Sequence, residues 1–359
     1  MKQTEKVRSL REKIDKIDAE IVKLLNQRTR MALKIGEIKN KEGTSVYSPE
    51  REEEIYQRIV RLNKGPLRSQ SIKAIYREIM SSTLSLQKEV SIAYLGPPAT
   101  FTHLAALKKF GSSVNYLPCA NIEGVFKVVE KGEATYGVVP IENSIEGAVS
   151  HTLDMFIDFD LKICSEIFLE ISHSLLSNFP LEKIKKIYSN PQVFAQCRSW
   201  LNRNLPAAEM IEVSSTAKAA QVASSERYAG AIANVLSAQI YHLKVIKEDI
   251  QDNLHNITRF LVIGKNNVPE TGNDKTSLLF SIKDRVGALY EMLLPFKKEG
   301  INLTKIESRP SKTRAWDYYF FLDLEGHCEQ KKVKKVLKEL ENRCIFLKVL
   351  GAYPKGEEN

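Results

Sequence analysis

Arg28 stands where an apolar residue is expected. A run of Val7, Leu10, Ile14, Ile17, Ile21 and Leu24 continues beyond it to Met31, Ile35 and Ile38, with steps alternating between three and four. Such a seam pairs one helix with another. A guanidinium in it must meet acidic groups or carry a desolvation cost of several kcal/mol. One reading is a register-fixing polar residue paired with a carboxylate on a neighbouring helix. Lys39 suggests another. It follows eleven residues later, within about 20° of the same face and about 16 Å along the axis. Two cations so placed suit a small polyanion. Arg11 precedes Arg28 by seventeen residues, about 25 Å away and about a quarter-turn off that face. It could reach the equivalent site of a second copy if two long helices pair antiparallel, and the length of the seam favours such pairing. A homo-oligomer, at least a dimer, is expected.

The elements around these residues follow from periodicity and breakers. Helix one is expected from Thr4 to Lys39, ended by a loop at Glu42-Gly43-Thr44. Ser48-Pro49-Glu50 offers an N-cap, a proline at the first helical position and acids in the first turn. Helix two runs to Leu62 and breaks at Asn63-Lys64-Gly65-Pro66. Helix three carries Ile72, Ile75, Tyr76, Ile79, Thr83, Leu86 and Gln87, so two polar groups continue its apolar stripe. From Val90 the texture changes. The strand Val90–Leu95 meets the turn Gly96-Pro97, and strand-like and helix-like runs then alternate to about residue 265. Examples are strand Gly137–Ile141, the helix from Val149, strand Leu161–Leu169, helix Val193–Leu201 and strand Phe260–Ile263. This order predicts an α/β region of mostly parallel sheets, in two lobes with a cleft. Gly264 to Lys275 is a polar linker. Strand Ser277–Ile282, helix Gly287–Glu299, strands Ile301–Ser308 and Trp316–Leu324, helix Gln330–Leu340 and strand Ile345–Tyr353 then follow the split-βαβ, ferredoxin-like α+β plan.

At 359 residues two or three domains are expected. The net charge is +9, and residues 1–90 carry 20 Lys and Arg against 13 Asp and Glu. The basic residues are interleaved with acids and aromatics are few there, so a small anionic substrate is expected rather than nucleic acid. No apolar run is long enough to cross a membrane. The N-terminal residues have no apolar leader, so no membrane partner and a cytoplasmic location are expected. Cys119, Cys164, Cys197, Cys328 and Cys344 are scattered without a CxxC pair, which argues against a disulfide framework, a zinc site or any metal. No cofactor is expected.

Residues 1–89 resemble the all-α chorismate mutase domain, through Leu10-Arg11-Glu12-Lys13-Ile14, Arg28, Gly36, Lys39, Arg51-Glu52 and Gln87. Residues 90–265 resemble prephenate dehydratase, a two-lobed α/β domain of the periplasmic-binding-protein type. The marks are Gly96-Pro97, the run from Val139 to Gly147, Asn190-Pro191-Gln192 and Thr258-Arg259-Phe260-Leu261. Residues 276–355 resemble an ACT regulatory domain, through Gly287-Ala288-Leu289 and Glu307-Ser308-Arg309-Pro310. In this order the three resemble the bifunctional chorismate mutase/prephenate dehydratases of phenylalanine biosynthesis.

The resemblance implies roles. Rearrangement of chorismate needs no nucleophile, only a held conformer and stabilised charge on the ether oxygen. Arg28, and Arg11 from a second copy, would clamp carboxylates. Lys39 and Gln87 would bond the ether oxygen, Glu52 would orient the hydroxyl and Arg51 would complete the cationic wall. Ser48 departs from the acid associated with its position and reads mainly as an N-cap; Thr83 stands where a small hydroxyl is common. Without the resemblance, Arg51 and Glu52 read equally as a solvated first-turn pair.

For the dehydratase, Thr258 would position a proton at the leaving hydroxyl, although alone it reads as an ordinary strand-start hydroxyl. Glu142, Asn143 and Ser144 follow a strand end, a favoured place for site residues. Ser189 and Gln196 flank a helix start able to receive a carboxylate. Phe260 is a further candidate, and Arg259 either binds a substrate carboxylate or braces the strand. Asn190 replaces the family's usual histidine and Leu254 its usual proline. In the C-terminal region, Gly287, Ala288 and Leu289 would receive the carboxylate of L-phenylalanine, and Glu307, with Ser308, Arg309 and Pro310, its ammonium group. Two other readings remain at this point: an arogenate dehydratase on the same scaffold, and a metabolite sensor without catalysis.

Overall fold

The computed structural model describes residues 2–42, 47–87, 89–310 and 318–357. Gly43 and Thr44 of the expected first loop, and Trp316 at an expected strand start, lie outside the described residues. The chain divides into two compact units: Met1–Ser48, Tyr56–Val90 and Phe110–Asn115 in one, Pro49–Ile55, Ser91–Lys109 and Tyr116–Asn359 in the other.

The first three helices are α1 (Lys2–Lys41), α2 (Pro49–Leu62) and α3 (Ser69–Gln87). α1 extends by about a half-turn beyond both expected ends. It meets α3 through Arg28, Ala32 and Gly36. A Cβ at Gly36 would lie 3.0 Å from Gln87 Cγ, so the small residue permits this approach. The apolar seam is left uncovered in the single chain. Leu10, Ile14, Ile17, Leu24, Met31, Ile35 and Ile38 are each 53–59 % exposed. Arg28 lies within this stripe, and its guanidinium turns toward α3.

The second unit holds a first lobe of β1 (Ser91–Leu95), α4 (Phe101–Phe110), β2 (Asn115–Cys119), α5 (Ile122–Lys131), β3 (Tyr136–Asn143), β4 (Gly147–Ala148), α6 (Ser150–Asp158) and β5 (Lys162–Glu170). The second lobe comprises β6 (Ser174–Ser177), β7 (Lys186–Ser189), α7 (Pro191–Gln196), α8 (Arg198–Asn204), β8 (Glu209–Glu212), α9 (Thr216–Ser225), β9 (Ala229–Ala233), α10 (Val235–Ile240) and β10 (Lys244–Lys247). The chain then returns to the first lobe as β11 (Ile257–Gly264). One sheet runs β2-β1-β3-β11-β5, with β4 on β3; the other runs β10-β6-β9-β7-β8. Both are mixed rather than mostly parallel. The returning strand β11 is antiparallel to β3 and β5, and β6 is antiparallel to β9 and β10. The helix expected over Val193–Leu201 is two short ones divided at Cys197.

The last region is β12 (Asp274–Ser281), α11 (Ala288–Glu299), β13 (Leu303–Pro310), β14 (Tyr318–Glu325), α12 (Lys331–Glu341) and β15 (Phe346–Pro354). Its antiparallel sheet has the order β13-β14-β12-β15, as the split-βαβ plan requires. One face packs on α11 and α12 through Leu278, Phe280, Met292, Phe296 and Val336. The other gives Leu279, Phe321, Leu350 and Tyr353 to the core that holds Phe126, Phe156 and Ile163 of the first lobe. Among the described residues no helix is long and apolar enough to cross a membrane.

The closest approach in this shared core is at Gly351, where a Cβ would sit 2.2 Å from the Ile163 carbonyl oxygen. Backbone cannot yield as a side chain can. Gly351→Ala is expected to destabilise this unit by about 1–3 kcal/mol, as overpacking does. Urea unfolding of the intact chain checks this; unchanged stability would contradict so tight a joint.

Candidate functional sites

In the first unit, Arg28 Nη1 donates to Thr83 Oγ1 at 3.4 Å, and Thr83 donates in turn to the Ile79 carbonyl at 2.7 Å. Gln87 Nε2 donates to the Ala32 carbonyl. Lys39 Nζ donates to Ser48 Oγ at 3.0 Å. Ser48 does occupy the N-cap position of α2, but its side chain makes no capping hydrogen bond. The capping expectation is thus corrected: the hydroxyl serves Lys39. Arg11 is exposed on α1. Arg51 and Glu52 belong to the other unit. There Arg51 pairs with Glu54 at 2.6 Å, while Glu52 is buried and paired with Lys109 at 2.7 Å. Glu52 is therefore not a solvated first-turn acid.

In the second unit, β3 and β11 pair with Asn143 opposite Thr258 and Glu142 opposite Arg259. Successive side chains on a strand point to opposite faces, so each strand sends one of these residues to the cleft and one away from it. On the cleft side, the backbone N–H groups of Ile145 and Glu146 donate to Asn143 Oδ1 at 2.9 and 3.0 Å. These donors settle which end of the amide is which. Asn143 Nδ2 then donates to Thr258 Oγ1 at 2.8 Å and to Asn256 Oδ1 at 2.7 Å. Because Thr258 Oγ1 accepts here, its own hydrogen is left to donate elsewhere. Ser144 Oγ accepts from the Ile257 N–H at 3.0 Å and pins the start of β11.

The second lobe enters through α7. Gln196 Nε2 donates to Glu146 Oε1, and Gln192 Nε2 to Glu146 Oε2, both at 3.2 Å. A carboxylate only accepts, so Gln196 must present its oxygen to the other side. There it lies 2.8 Å from His173 Nε2 and 3.5 Å from Asn256 Nδ2. Asn143, Asn256, Gln196 and Glu146 thus form a ring of hydrogen bonds spanning both lobes. Burial holds the His173 imidazole below its usual pKa, with the Gln196 bond opposing that shift. Ser189 is not part of the ring. It is fully buried and its hydroxyl donates to the Ile232 carbonyl at 2.9 Å, which ties β7 to β9. Phe260 is buried in β11. Sequence reasoning misses Asn256, His173 and Glu146 as site residues. Asn256 stands two residues before Thr258, and the period of two could have placed it on the same face. His173 carries no comparable signal.

On the opposite face, Glu142 is corrected from a site residue to a joint residue: its Oε2 lies 2.8 Å from Lys305 Nζ of β13 and 3.8 Å from Arg259 Nη1. Arg259 braces the strand rather than facing the cleft. Its Nε donates to Glu166 at 2.8 Å, Nη1 to Asp323 at 2.6 Å and Nη2 to the Tyr353 hydroxyl at 3.0 Å. Lys275 Nζ also reaches Glu166 at 3.0 Å. Burial disfavours the Arg259 charge, but Tyr353, Asp323 and Glu166 more than offset it and hold the guanidinium protonated.

In the C-terminal region, Gly287 caps α11 with φ +81°, a conformation that suits glycine. Ala288 is buried and Leu289 half-buried behind it, while Val286 is fully exposed. On β13, Lys305, Glu307 and Arg309 share one face. Arg309 Nη1 donates to Ser150 at 2.9 Å and its guanidinium lies 3.5 Å from Asp154. Glu307 is half-buried and pairs with none of the described residues, and Ser308 and Pro310 lie on the exposed face.

Known proteins resemble this chain along its length. Family models for chorismate mutase type II, prephenate dehydratase and the ACT domain match residues 10–88, 92–268 and 276–342. A bifunctional chorismate mutase/prephenate dehydratase of Aquifex aeolicus is 53% identical over 357 residues, covering 98% of this chain and 99% of the relative. Its namesake in Escherichia coli K12 is 31% identical, covering 96% of this chain and 95% of the relative. The prephenate dehydratase of Arthrobacter aurescens, solved in complex with L-Phe, is 34% identical with a TM-score of 0.70, covering 74% of this chain and 90% of that one. Matched end to end and in the same domain order, the chain belongs to the bifunctional chorismate mutase/prephenate dehydratase family.

Proposed function

We propose that this chain's two activities, chorismate mutase and prephenate dehydratase, reside in separate sites, one in residues 1–89 and one in residues 90–265, with residues 276–355 as a phenylalanine sensor. The oriented Asn143–Thr258 pair is the observation that carries the dehydratase assignment. Loss of the prephenate carboxylate as carbon dioxide sends its bonding pair into the ring. The ring hydroxyl leaves with its own bonding pair and takes up one proton, drawn from solvent, to depart as water. A threonine is too weak an acid to supply that proton outright. Thr258 instead donates a hydrogen bond to the departing oxygen, and Gln196 offers its amide hydrogen to a substrate carboxylate.

In the mutase, Arg28 and Arg11 hold the carboxylates and Lys39 and Gln87 the ether oxygen, with Ser48 and Thr83 supporting Lys39 and Arg28. Arg11 is supplied by a second copy. The uncovered seam of α1 supports a homodimer, since a strip of that length costs too much left in water. Five free cysteines suit the cytoplasm. The phenylalanine sensor rests on the solved relative that holds L-Phe and on two separate features of the C-terminal region: Glu307 of β13, a half-buried carboxylate that suits an ammonium group, and the glycine-capped start of α11, which suits a carboxylate.

Reciprocal losses test the two-site assignment. Arg28→Ala is expected to remove about 2–5 kcal/mol of mutase transition-state stabilisation and to leave turnover of added prephenate intact. Thr258→Val, which keeps the shape and removes the hydroxyl, should do the reverse. Assays of each variant with chorismate and with prephenate read both; equal loss of both activities in either variant would sink the assignment. For the sensor, L-phenylalanine should inhibit the dehydratase of the native chain, and Glu307→Ala should weaken inhibition by roughly tenfold or more, as loss of a charged hydrogen bond does. Calorimetry that detects no phenylalanine binding to the native chain would refute it.

A further inference from the structure

His173 lies where the chain first crosses from one lobe to the other, between β5 and β6. The second crossing, between β10 and β11, is zipped to it. The Ile171 N–H donates to the Asn256 carbonyl at 2.8 Å, the Ile250 N–H to the His173 carbonyl at 2.9 Å, and the His173 N–H to Gln251 Oε1 at 2.9 Å. The Phe101 ring stands edge-on to the imidazole, 5.5 Å between centroids. With 1 % of its surface exposed, the ring has no freedom to turn. Among the described residues its side chain makes one hydrogen bond, the 2.8 Å contact from Nε2 to Gln196 Oε1.

The polarity of that bond follows from its surroundings. Glu146 accepts from Gln196 Nε2, so the Gln196 oxygen faces the imidazole and Nε2 must carry the hydrogen. Nδ1 is then a bare acceptor. It is buried and has no hydrogen-bond partner among the described residues, and the same holds for the neighbouring Ser174 Oγ. Leaving a buried acceptor unsatisfied costs about 1–3 kcal/mol. An apolar side chain here would avoid that cost, so packing alone does not account for a histidine.

We propose that His173 is a positioning residue of the dehydratase: its Nε2–H holds the Gln196 side-chain oxygen and so turns the Gln196 amide nitrogen into the cleft, with one hydrogen on Glu146 and the other left for a substrate carboxylate. The proposal rests on the assignment of Gln196 to the dehydratase site. Without His173 the Gln196 amide can rotate about its terminal torsion, and the ring of bonds joining the lobes loses its most rigid anchor. A donor at the position of Nε2 is what the role demands; the imidazole as such is not. Glutamine carries its Nε2 at the corresponding reach, whereas leucine fills the space without a donor.

The test measures kcat/KM for prephenate in the full-length chain and in His173→Leu, His173→Gln, Gln196→Ala and the Leu–Ala double variant, with thermal unfolding of each. His173→Leu should lower kcat/KM by roughly tenfold, the effect of one lost buried hydrogen bond. His173→Gln should recover most of it. The double variant should be no worse than Gln196→Ala alone, because both substitutions remove one shared function. A Gln variant as poor as the Leu variant, or losses that multiply in the double variant, would overturn the proposal. Full activity in Gln196→Ala would instead overturn the site assignment beneath it, a result distinct from either of these.

Discussion

An amide donates only from its nitrogen and accepts only at its oxygen, and at Asn143 this asymmetry governs the dehydratase cleft. Two backbone N–H groups at the tight turn after β3 claim Oδ1. The nitrogen is thereby aimed at Thr258 and Asn256. Every later bond in the ring inherits its direction from this one and from the carboxylate of Glu146, which can only accept. Thr258 becomes a donor by elimination. The fold exists to deliver these few groups: β11 must return from the second lobe to lie beside β3 with Thr258 opposite Asn143, and α7 must close from the far side with Gln196.

The same strand pair has a second face. Since side chains alternate, a register that puts Thr258 with Asn143 also puts Arg259 with Glu142. That face is buried against the C-terminal sheet. Three cations, Arg259, Lys275 and Lys305, meet three carboxylates, Glu142, Glu166 and Asp323. Isolated, any one of them would be costly to bury; balanced and hydrogen-bonded, they are tolerable, and removal of one strands its neighbour. β13 takes part at two points, through Lys305 and Arg309, on either side of Glu307. The strand proposed to read phenylalanine is thus bolted to β3, the strand that carries Asn143.

Much of this is legible in the amino-acid sequence. Helix α1 declares itself by its three-four periodicity, and the last domain by an element order that admits few topologies. Local signals serve less well where a side chain's use is decided at long range. Ser48 looks like an N-cap and stands at that position, yet Lys39 takes its hydroxyl. Glu142 sits beside Asn143 in a recognisable run, but adjacent strand residues cannot share a face, and that rule alone could have separated them. Ser189 lies at a strand end, but its hydroxyl is taken by a backbone carbonyl within the sheet. The parallel sheets expected from alternating elements are mixed because β11 returns from the other lobe, a connection no window of sequence reveals. Asn256 and His173 belong to the two crossings, and His173 gains meaning only when folding brings Gln196 to it.

Dehydration depends on the direction of the Asn143–Thr258 hydrogen bond, and Asn143→Asp tests this most directly. An aspartate keeps the shape and can still accept from the Ile145 and Glu146 N–H groups, but ionised it cannot donate to Thr258. The threonine hydrogen would then turn toward the carboxylate and away from the substrate. Dehydratase kcat, measured with prephenate, should fall on the order of a hundredfold near neutral pH, as when an oriented donor is lost from an active site. It should recover as the pH is lowered and the new carboxyl takes a proton and can donate again. Near-normal turnover at neutral pH, or a loss that does not lessen on acidification while the variant stays folded, would contradict the account.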